Sequence, residues 1–266
     1  MAPSSSSISR ITVIGLGQMG SWFASQLKEI VELAIYDRDH DKMKGIKGVY
    51  PLSNLSQLKD FRPDCVLNAV NIENTIPVFK SILDYLPADC LLADITSVKG
   101  ELPRYYQEWQ RRFVSSHPMF GPTLADINHL ADENAIIISE SDEKGKAFFR
   151  SFYSRFNLNL YEYTFSEHDQ IIAYSLTVPF ASTMAFAAHL HSSAVPGTTF
   201  KKHLEIAQGL LQESDYLLAE ILFNPHSLLQ LEKITQRLEF LKHVIQEKDY
   251  EEAFNFFRRL RENIKK

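Results

Sequence analysis

His117 and Ser97 are the two side chains whose type and setting suit proton transfer. His117 opens the run His117-Pro118-Met119-Phe120-Gly121-Pro122, directly after an apolar stretch, 112–116, that reads as a strand. An imidazole titrates near pH ~6.5, so a neutral one in a stiff loop at a strand end can act as a general base in the working range. Pro118 and Pro122 fix two backbone angles, and Gly121 permits conformations closed to other residues. A plain turn accounts for those three residues but not for the imidazole. Ser97 lies in Asp94-Ile95-Thr96-Ser97-Val98-Lys99-Gly100, which begins at another predicted strand end and is expected to open a helix. A hydroxyl there also suits a helix cap. It gains a chemical role only if it and His117 line one cleft.

Such a cleft needs strands that end on a common rim, and the N-terminal part supplies them. Residues 11–14 form a short apolar strand that runs into Gly15-Leu16-Gly17-Gln18-Met19-Gly20 and then a helical stretch, 21–31. A second strand, 32–36, ends in Asp37, about twenty residues downstream of the glycines. GxGxxG alone also occurs in ordinary strand-helix turns; between this strand and this helix it reads as a dinucleotide-binding fingerprint. Gly15 makes the tight turn, Gly17 lets backbone approach a pyrophosphate, and Gly20 lets helix and strand pack closely. The helix N-terminus adds N–H groups and positive dipole. Asp37 would accept hydrogen bonds from the adenosine ribose and repel a 2'-phosphate, favouring NAD over NADP, while Arg38 is the neighbour able to hold that phosphate. Leu16, Gln18, Met19 and Val70 complete the expected cofactor contacts.

Further apolar strands at 65–70, 90–94, 113–116, 134–139 and 157–164 alternate with helical segments. This predicts an α/β fold, a Rossmann-type doubly wound and mostly parallel sheet. Past Ser166 only helices are expected. Ser166-Glu167-His168-Asp169 reads as a capping box opening a helix toward His191, which Pro179 should kink or break. Helices follow at about 199–213, 214–223, 225–248 and 250–264. Leu228, Leu231, Ile234, Leu238, Leu241 and Ile245 recur at helical spacing, as do Phe254, Phe257 and Leu260. These stripes exceed what one small helical layer covers, which predicts a homodimer through this part. The expected division is a frayed tail at 1–10, an NAD-binding domain at 11–165 and an all-helical C-terminal domain at 166–266 for substrate binding and dimerisation.

Composition narrows the classes. A net charge of −5 over 266 residues, with Lys and Arg scattered, offers no basic stripe for nucleic acid. The first ten residues lack an apolar core of the signal-peptide kind, and no apolar run is expected to reach membrane-span length. Cys65 and Cys90 fall at the starts of inner strands and read as buried free thiols of a reducing, cytoplasmic compartment, not as a disulfide or metal site. His189 and His191 read as surface or packed helix residues, and no metal is expected.

Taken in order, GLGQMG, DITSVKG, SHPMFGP and EHDQIIAY make the chain similar, over nearly its whole length, to the prephenate dehydrogenase family, which includes arogenate and cyclohexadienyl dehydrogenases. HPMFGP is the most specific of these pieces. The resemblance implies an NAD(P) domain followed by a dimerising helical domain, and a role in tyrosine biosynthesis. The implied reaction is prephenate plus NAD giving 4-hydroxyphenylpyruvate, carbon dioxide and NADH. On this reading His117 takes the proton of the 4-hydroxyl as hydride leaves the same carbon, and Ser97 hydrogen-bonds either the histidine or the hydroxyl to fix orientation. Arogenate, alone or with prephenate, is the alternative substrate.

Two stretches depart from the family pattern. Where relatives often carry a histidine, this chain has Ser175-Leu176-Thr177-Val178-Pro179; where many carry an arginine, it has Lys201 and Lys202. Ser175, Lys201 and Lys202 are the expected substrate contacts, although the two lysines also suit a solvated helix start and lack the fork of arginine. A β-hydroxyacid dehydrogenase would need an asparagine four residues after its lysine, and here Glu205 and Ile206 stand there. A non-catalytic NAD-sensing protein would keep the glycine loop with no use for His117 beside Ser97. No regulatory or chorismate mutase segment is recognisable, so a single activity is expected.

Overall fold

The computed structural model describes residues 8–121, 130–191 and 195–265. Eight strands form one sheet: β1 (Arg10–Ile14), β2 (Glu32–Tyr36), β3 (Tyr50–Pro51), β4 (Cys65–Asn68), β5 (Leu91–Asp94), β6 (Phe113–Pro118), β7 (Asn134–Ile138) and β8 (Asn159–Tyr163). Their order is β3-β2-β1-β4-β5-β6-β7-β8. The first six are parallel and follow the order of dinucleotide-binding sheets. β3 has only two residues, one of them proline, too short a run to stand out in the sequence.

Period-two alternation sends the side chains of the inner strands to two separate apolar layers. Ile11, Val13, Cys65, Leu67, Leu91 and Ala93 pack with Trp22 and Phe23 of α1 (Gln18–Leu27) and with aromatic residues farther along the chain. Ile14, Val66 and Leu92 face the opposite way. α2 (Leu58–Phe61), α3 (Thr75–Ile82) and α4 (Leu102–Trp109) meet them there through Phe61, Phe79 and Tyr106. α5 (Glu143–Ser154) returns to the first layer with Phe149, Phe152 and Tyr153. Burial on both faces is why these strands read as unbroken apolar runs. Cys65 and Cys90 are free and buried, and burial pushes both thiols up, Cys90 to about 12.

β6 changes partners along its length. Phe113 to Ser115 pair in parallel with β5, whereas Ser116, His117 and Pro118 pair antiparallel with β7. The strand therefore runs two residues beyond the expected end, and His117 belongs to it instead of to a loop. The prolines that follow His117 suggest a turn, but the returning β7 supplies partners that a parallel neighbour would not, as Met119 N–H donating to Asn134 O at 2.8 Å shows. Pro122 lies outside the described residues.

Beyond β8 the described chain is helical: α6 (Phe165–Ile172), a π turn (Ala173–Thr177), α7 (Val178–Ala188), α8 (Thr198–Leu210), α9 (Asp215–Leu222), α10 (Ser227–Glu247) and α11 (Tyr250–Ile264). The capping box forms two residues before the expected one. Thr164 is the N-cap, its hydroxyl accepting from Glu167 N–H at 3.1 Å, while Glu167 accepts from Thr164 N–H at 2.8 Å; Ser166 is already helical. Pro179 does not end the helix, because the wider π turn just before it accommodates a residue without an N–H. As a result Phe165–Ala188 forms one 24-residue helical run containing an 18-residue stretch of mean hydropathy 1.5, long and apolar enough by length and composition to cross a membrane, contrary to the expectation from the sequence. Its first two turns nevertheless carry Glu167, His168 and Asp169.

Candidate active site

The loop after β1 is shaped by close backbone approach. Gly15 sits at φ +91°, and a Cβ there would come within 2.8 Å of Ala69 and Val70; a Cβ on Gly20 would fall 1.8 Å from the Gly15 carbonyl oxygen. Gly17 differs, since a Cβ on it would meet nothing within 4 Å. Gly17 is also the N-cap of α1 and provides no side-chain acceptor, so N–H groups of the first turn stay available to an anion beside open space. This cradle fits a pyrophosphate. Gln18 is exposed there, Met19 and Val70 are half-buried, and Leu16 is buried.

Asp37 follows β2 and is buried. One carboxylate oxygen accepts from Leu16 N–H at 2.6 Å and the other from Asp39 N–H at 2.8 Å. The residue expected to meet a ribose thus also ties the glycine loop to β2, each oxygen keeping a further lone pair for a ligand. Arg38 is exposed and makes no ion pair among the described residues.

At the other end, the segment after β5 is hung on a buried ion pair. Lys99 Nζ lies 2.9 Å from Asp94 Oδ1, with both side chains fully buried. Tyr106 donates to Asp94 Oδ2 at 2.7 Å and Thr96 to Oδ1 at 2.9 Å. Lys99 also donates to the carbonyl of Ser116 at 2.8 Å. The lysine therefore joins the β5 loop to the residue next to His117. The motif does not open a helix as expected; α4 starts at Leu102, because residues 95–100 are occupied in wrapping the lysine around Asp94. Ser116 and Tyr153 share a hydroxyl hydrogen bond of 2.8 Å, and Phe120 meets the Trp22 ring edge-on at 5.2 Å, so β6 is fixed on both sides of His117.

β5 ends at Asp94 opposite Ser115, which carries His117 two positions past that strand's end, on the carboxyl rim where α/β sheets bind ligands. His117 Nδ1 is 3.1 Å from Nε2 of His168, and His168 Nδ1 is 3.1 Å from Oδ1 of Asp169. Burial holds His117 well below the usual imidazole value, with His168 and Lys99 acting in the same direction. His168 is pushed down to about 3, chiefly by burial and then by Lys99. Asp169 is raised by burial, against the pull of Lys99 and His226. His117 is thus a neutral acceptor across the physiological range, and the expected titration near pH ~6.5 is displaced downward because burial disfavours the cation.

His168 is the site residue that sequence reasoning passed over. Its signal was present: Phe165, His168 and Ile172 recur at helical spacing and are the buried face of α6, so this histidine sits on an apolar stripe. The structure joins His117 to His168 and not to Ser97, which is half-buried and makes no hydrogen bond among the described residues. Ser175 lies in the π turn with its hydroxyl oxygen buried and without a partner. Lys201 and Lys202 are exposed on α8, which packs on α7, and neither makes a side-chain hydrogen bond or ion pair among the described residues. His189 and His191 lie with ring centroids 4.9 Å apart, and among the described residues no group of three His, Cys, Asp or Glu side chains is placed to hold a metal.

Comparison with known proteins bears on the family and the fold. The chain is 26% identical over 263 residues to a probable arogenate/prephenate dehydrogenase of Methanocaldococcus jannaschii, covering 91% of this chain and 58% of the relative. It is 25% identical to the T-protein of Haemophilus influenzae, covering 95% and 63%. The chain therefore spans roughly three fifths of the length of these curated relatives. Its fold matches the A. aeolicus prephenate dehydrogenase solved with hydroxyphenyl propionate and NAD+, with a TM-score of 0.82, 19% identity and coverage of 97% and 98%. Synechocystis arogenate dehydrogenase gives 0.75, 18% identity and coverage of 96% and 99%. The family described as "Prephenate dehydrogenase, nucleotide-binding domain" matches residues 23–156, half of the chain, and the protein belongs to that family.

Proposed function

We propose that this protein catalyses the NAD-dependent oxidative decarboxylation of prephenate to 4-hydroxyphenylpyruvate, the step that commits the ring to tyrosine. The observation that carries the reading is His117: a buried, neutral imidazole on the carboxyl rim of the same parallel sheet whose β1 end forms the open glycine cradle. NAD supplies the hydride acceptor. Leu16, Gly17, Gln18, Met19 and Gly20 receive its pyrophosphate, Val70 lines the loop, and Asp37 receives the adenosine ribose and disfavours a 2'-phosphate, with Arg38 outside.

His117 accepts the 4-hydroxyl proton as hydride leaves that carbon, so negative charge builds on the oxygen and helps expel the hydride. Ser97, free of other partners among the described residues, hydrogen-bonds the same hydroxyl and orients it. Loss of the ring carboxylate then restores aromaticity, which drives the step without a metal. The partnerless hydroxyl of Ser175 and the ammonium of Lys201, unpaired among the described residues, with Lys202 second, are our candidates for the substrate carboxylates. Arogenate is the second reading. Its ammonium would find Glu205 beside Lys201, and relatives of both names are similar to this chain.

The nucleotide-binding part spans 11–165 in this reading, and the helical part, 166–266, binds substrate and pairs two copies. None of the residues of α7 is buried although the helix is strongly apolar, and Leu228, Leu238 and Ile245 of α10 and Phe254 and Phe257 of α11 are exposed. A second copy covers this surface. Two buried free thiols suit a reducing cytoplasm. The test is NADH formation from NAD with prephenate and with arogenate. Turnover of prephenate, with arogenate slower, supports the reading; turnover of arogenate alone moves it to the second substrate, and no turnover of either overturns it.

A further inference from the structure

The contact between His117 and His168 has a polarity, and Asp169 decides it. Ionised, the Asp169 carboxylate can only accept, so the Nδ1 of His168, 3.1 Å from Asp169 Oδ1, carries a proton. Burial and the neighbouring Lys99 keep His168 neutral, which leaves its Nε2 with a lone pair and no hydrogen. That lone pair faces Nδ1 of His117 at 3.1 Å, so the hydrogen between the rings comes from His117. A neutral His117 with its proton on Nδ1 has an unprotonated Nε2.

We propose that His168, itself oriented by Asp169, is a positioning residue that selects the Nδ1–H tautomer of His117 and so keeps Nε2 as the proton acceptor; the proposal rests on the reading of His117 as the base. The reverse polarity would put a hydrogen on Nε2 of His117 and turn the base into a donor. The supporting geometry is built from two elements. His117 is fixed in β6 by strand pairing and by the Lys99 bond to Ser116 O, and His168 is fixed on α6 beneath the Thr164 cap. Asn224, following α9, donates to the carbonyl of Asp169 at 3.0 Å and ties the helix that carries both partners to the rest of the helical part. The base is therefore completed across the junction between sheet and helices: a strand supplies the imidazole, a helix supplies its tautomer.

Two variants and one spectrum test this. Leucine at His168 removes the acceptor in a setting that already tolerates apolar side chains, whereas glutamine restores an acceptor oxygen. His168→Leu should lower kcat on the order of 10²-fold, the usual range for a mispositioned or lost base, with KM for NAD within about twofold. His168→Gln should recover most of that loss, which a merely space-filling role would not produce. In 15N-histidine spectra of the wild-type protein, His117 should show a protonated Nδ1 and a bare Nε2. A protonated Nε2 in the wild type overturns the proposal, as does a kcat for His168→Leu within about twofold of wild type, or a His168→Gln variant no better than the leucine one. The wild-type spectrum needs no variant to fold. Wild-type kcat in His117→Asn would instead remove the reading of His117 as the base, while the spectrum still decides the tautomer.

Discussion

In the sheet half, Asp94, Lys99, Tyr106 and Ser116 satisfy one another within a buried network, and apolar layers close over both faces of β1, β4 and β5. In the helical half, α7 buries none of its residues, and Leu228 of α10 is 66% exposed. The two halves therefore obtain stability differently. One is finished by contacts along its own chain; the other presents exposed apolar faces, which the proposed second copy would cover. The candidate site straddles them, with His117 on the finished side and His168 on the first helix of the other.

The contrast is broken most severely by opening the buried pair. Replacing Lys99 with Met leaves Asp94 charged and buried without its cation, and loss of one partner of such a pair costs about 3–5 kcal/mol. Lys99→Met should therefore lower the denaturant midpoint sharply and disorder β6 next to His117; an unchanged midpoint would mean the network is not what holds the strand. Acid should expose the same region next. His117 and His168 are neutral when folded but would take protons in the unfolded chain below pH ~6.5, so the unfolded state binds more protons there and stability falls as pH drops. The loss starts near pH ~6.5 and continues, for His168, down to about 3. Equilibrium unfolding between pH 7 and pH 5 checks the slope, and a flat stability curve would contradict the buried neutral pair.

The helical half should respond in the opposite way. Leu238→Glu places a charge on an exposed apolar face of α10 and should leave the secondary structure intact while weakening self-association by about 2 kcal/mol or more, seen by sedimentation as a shift toward monomer. A wild-type monomer at micromolar concentration would remove the contrast altogether. The smallest effect is expected at Asp37. Asp37→Ser should reduce kcat/KM for NAD by about tenfold and narrow the preference over NADP, since it loses a ribose acceptor and a repulsive charge together. Because Asp37 also binds Leu16 N–H, some loosening of the glycine loop should accompany it.

What the sequence revealed and what it hid follow from locality. The glycine loop, the parallel strands and the helical tail are written in neighbouring residues, by spacing and period. The carboxyl half of β6 was hidden because its partner, β7, lies across a chain reversal that prolines disguised as an ordinary turn. Lys99 looked like the start of a helix because its partners, Asp94 and Ser116 O, meet only after two strands pair. His168 is 51 residues from His117, a separation at which no local pattern announces a contact. Its place on the buried stripe of α6 was readable; its partner was not.

The most direct test of the whole account couples two products to one side chain. NADH and carbon dioxide should be released in equal amounts when wild-type protein is given NAD and prephenate, and His117→Asn should cut the rate of both on the order of 10²-fold or more while leaving NAD affinity nearly intact. Wild-type rates in the Asn variant, or NADH formed without carbon dioxide, would contradict it.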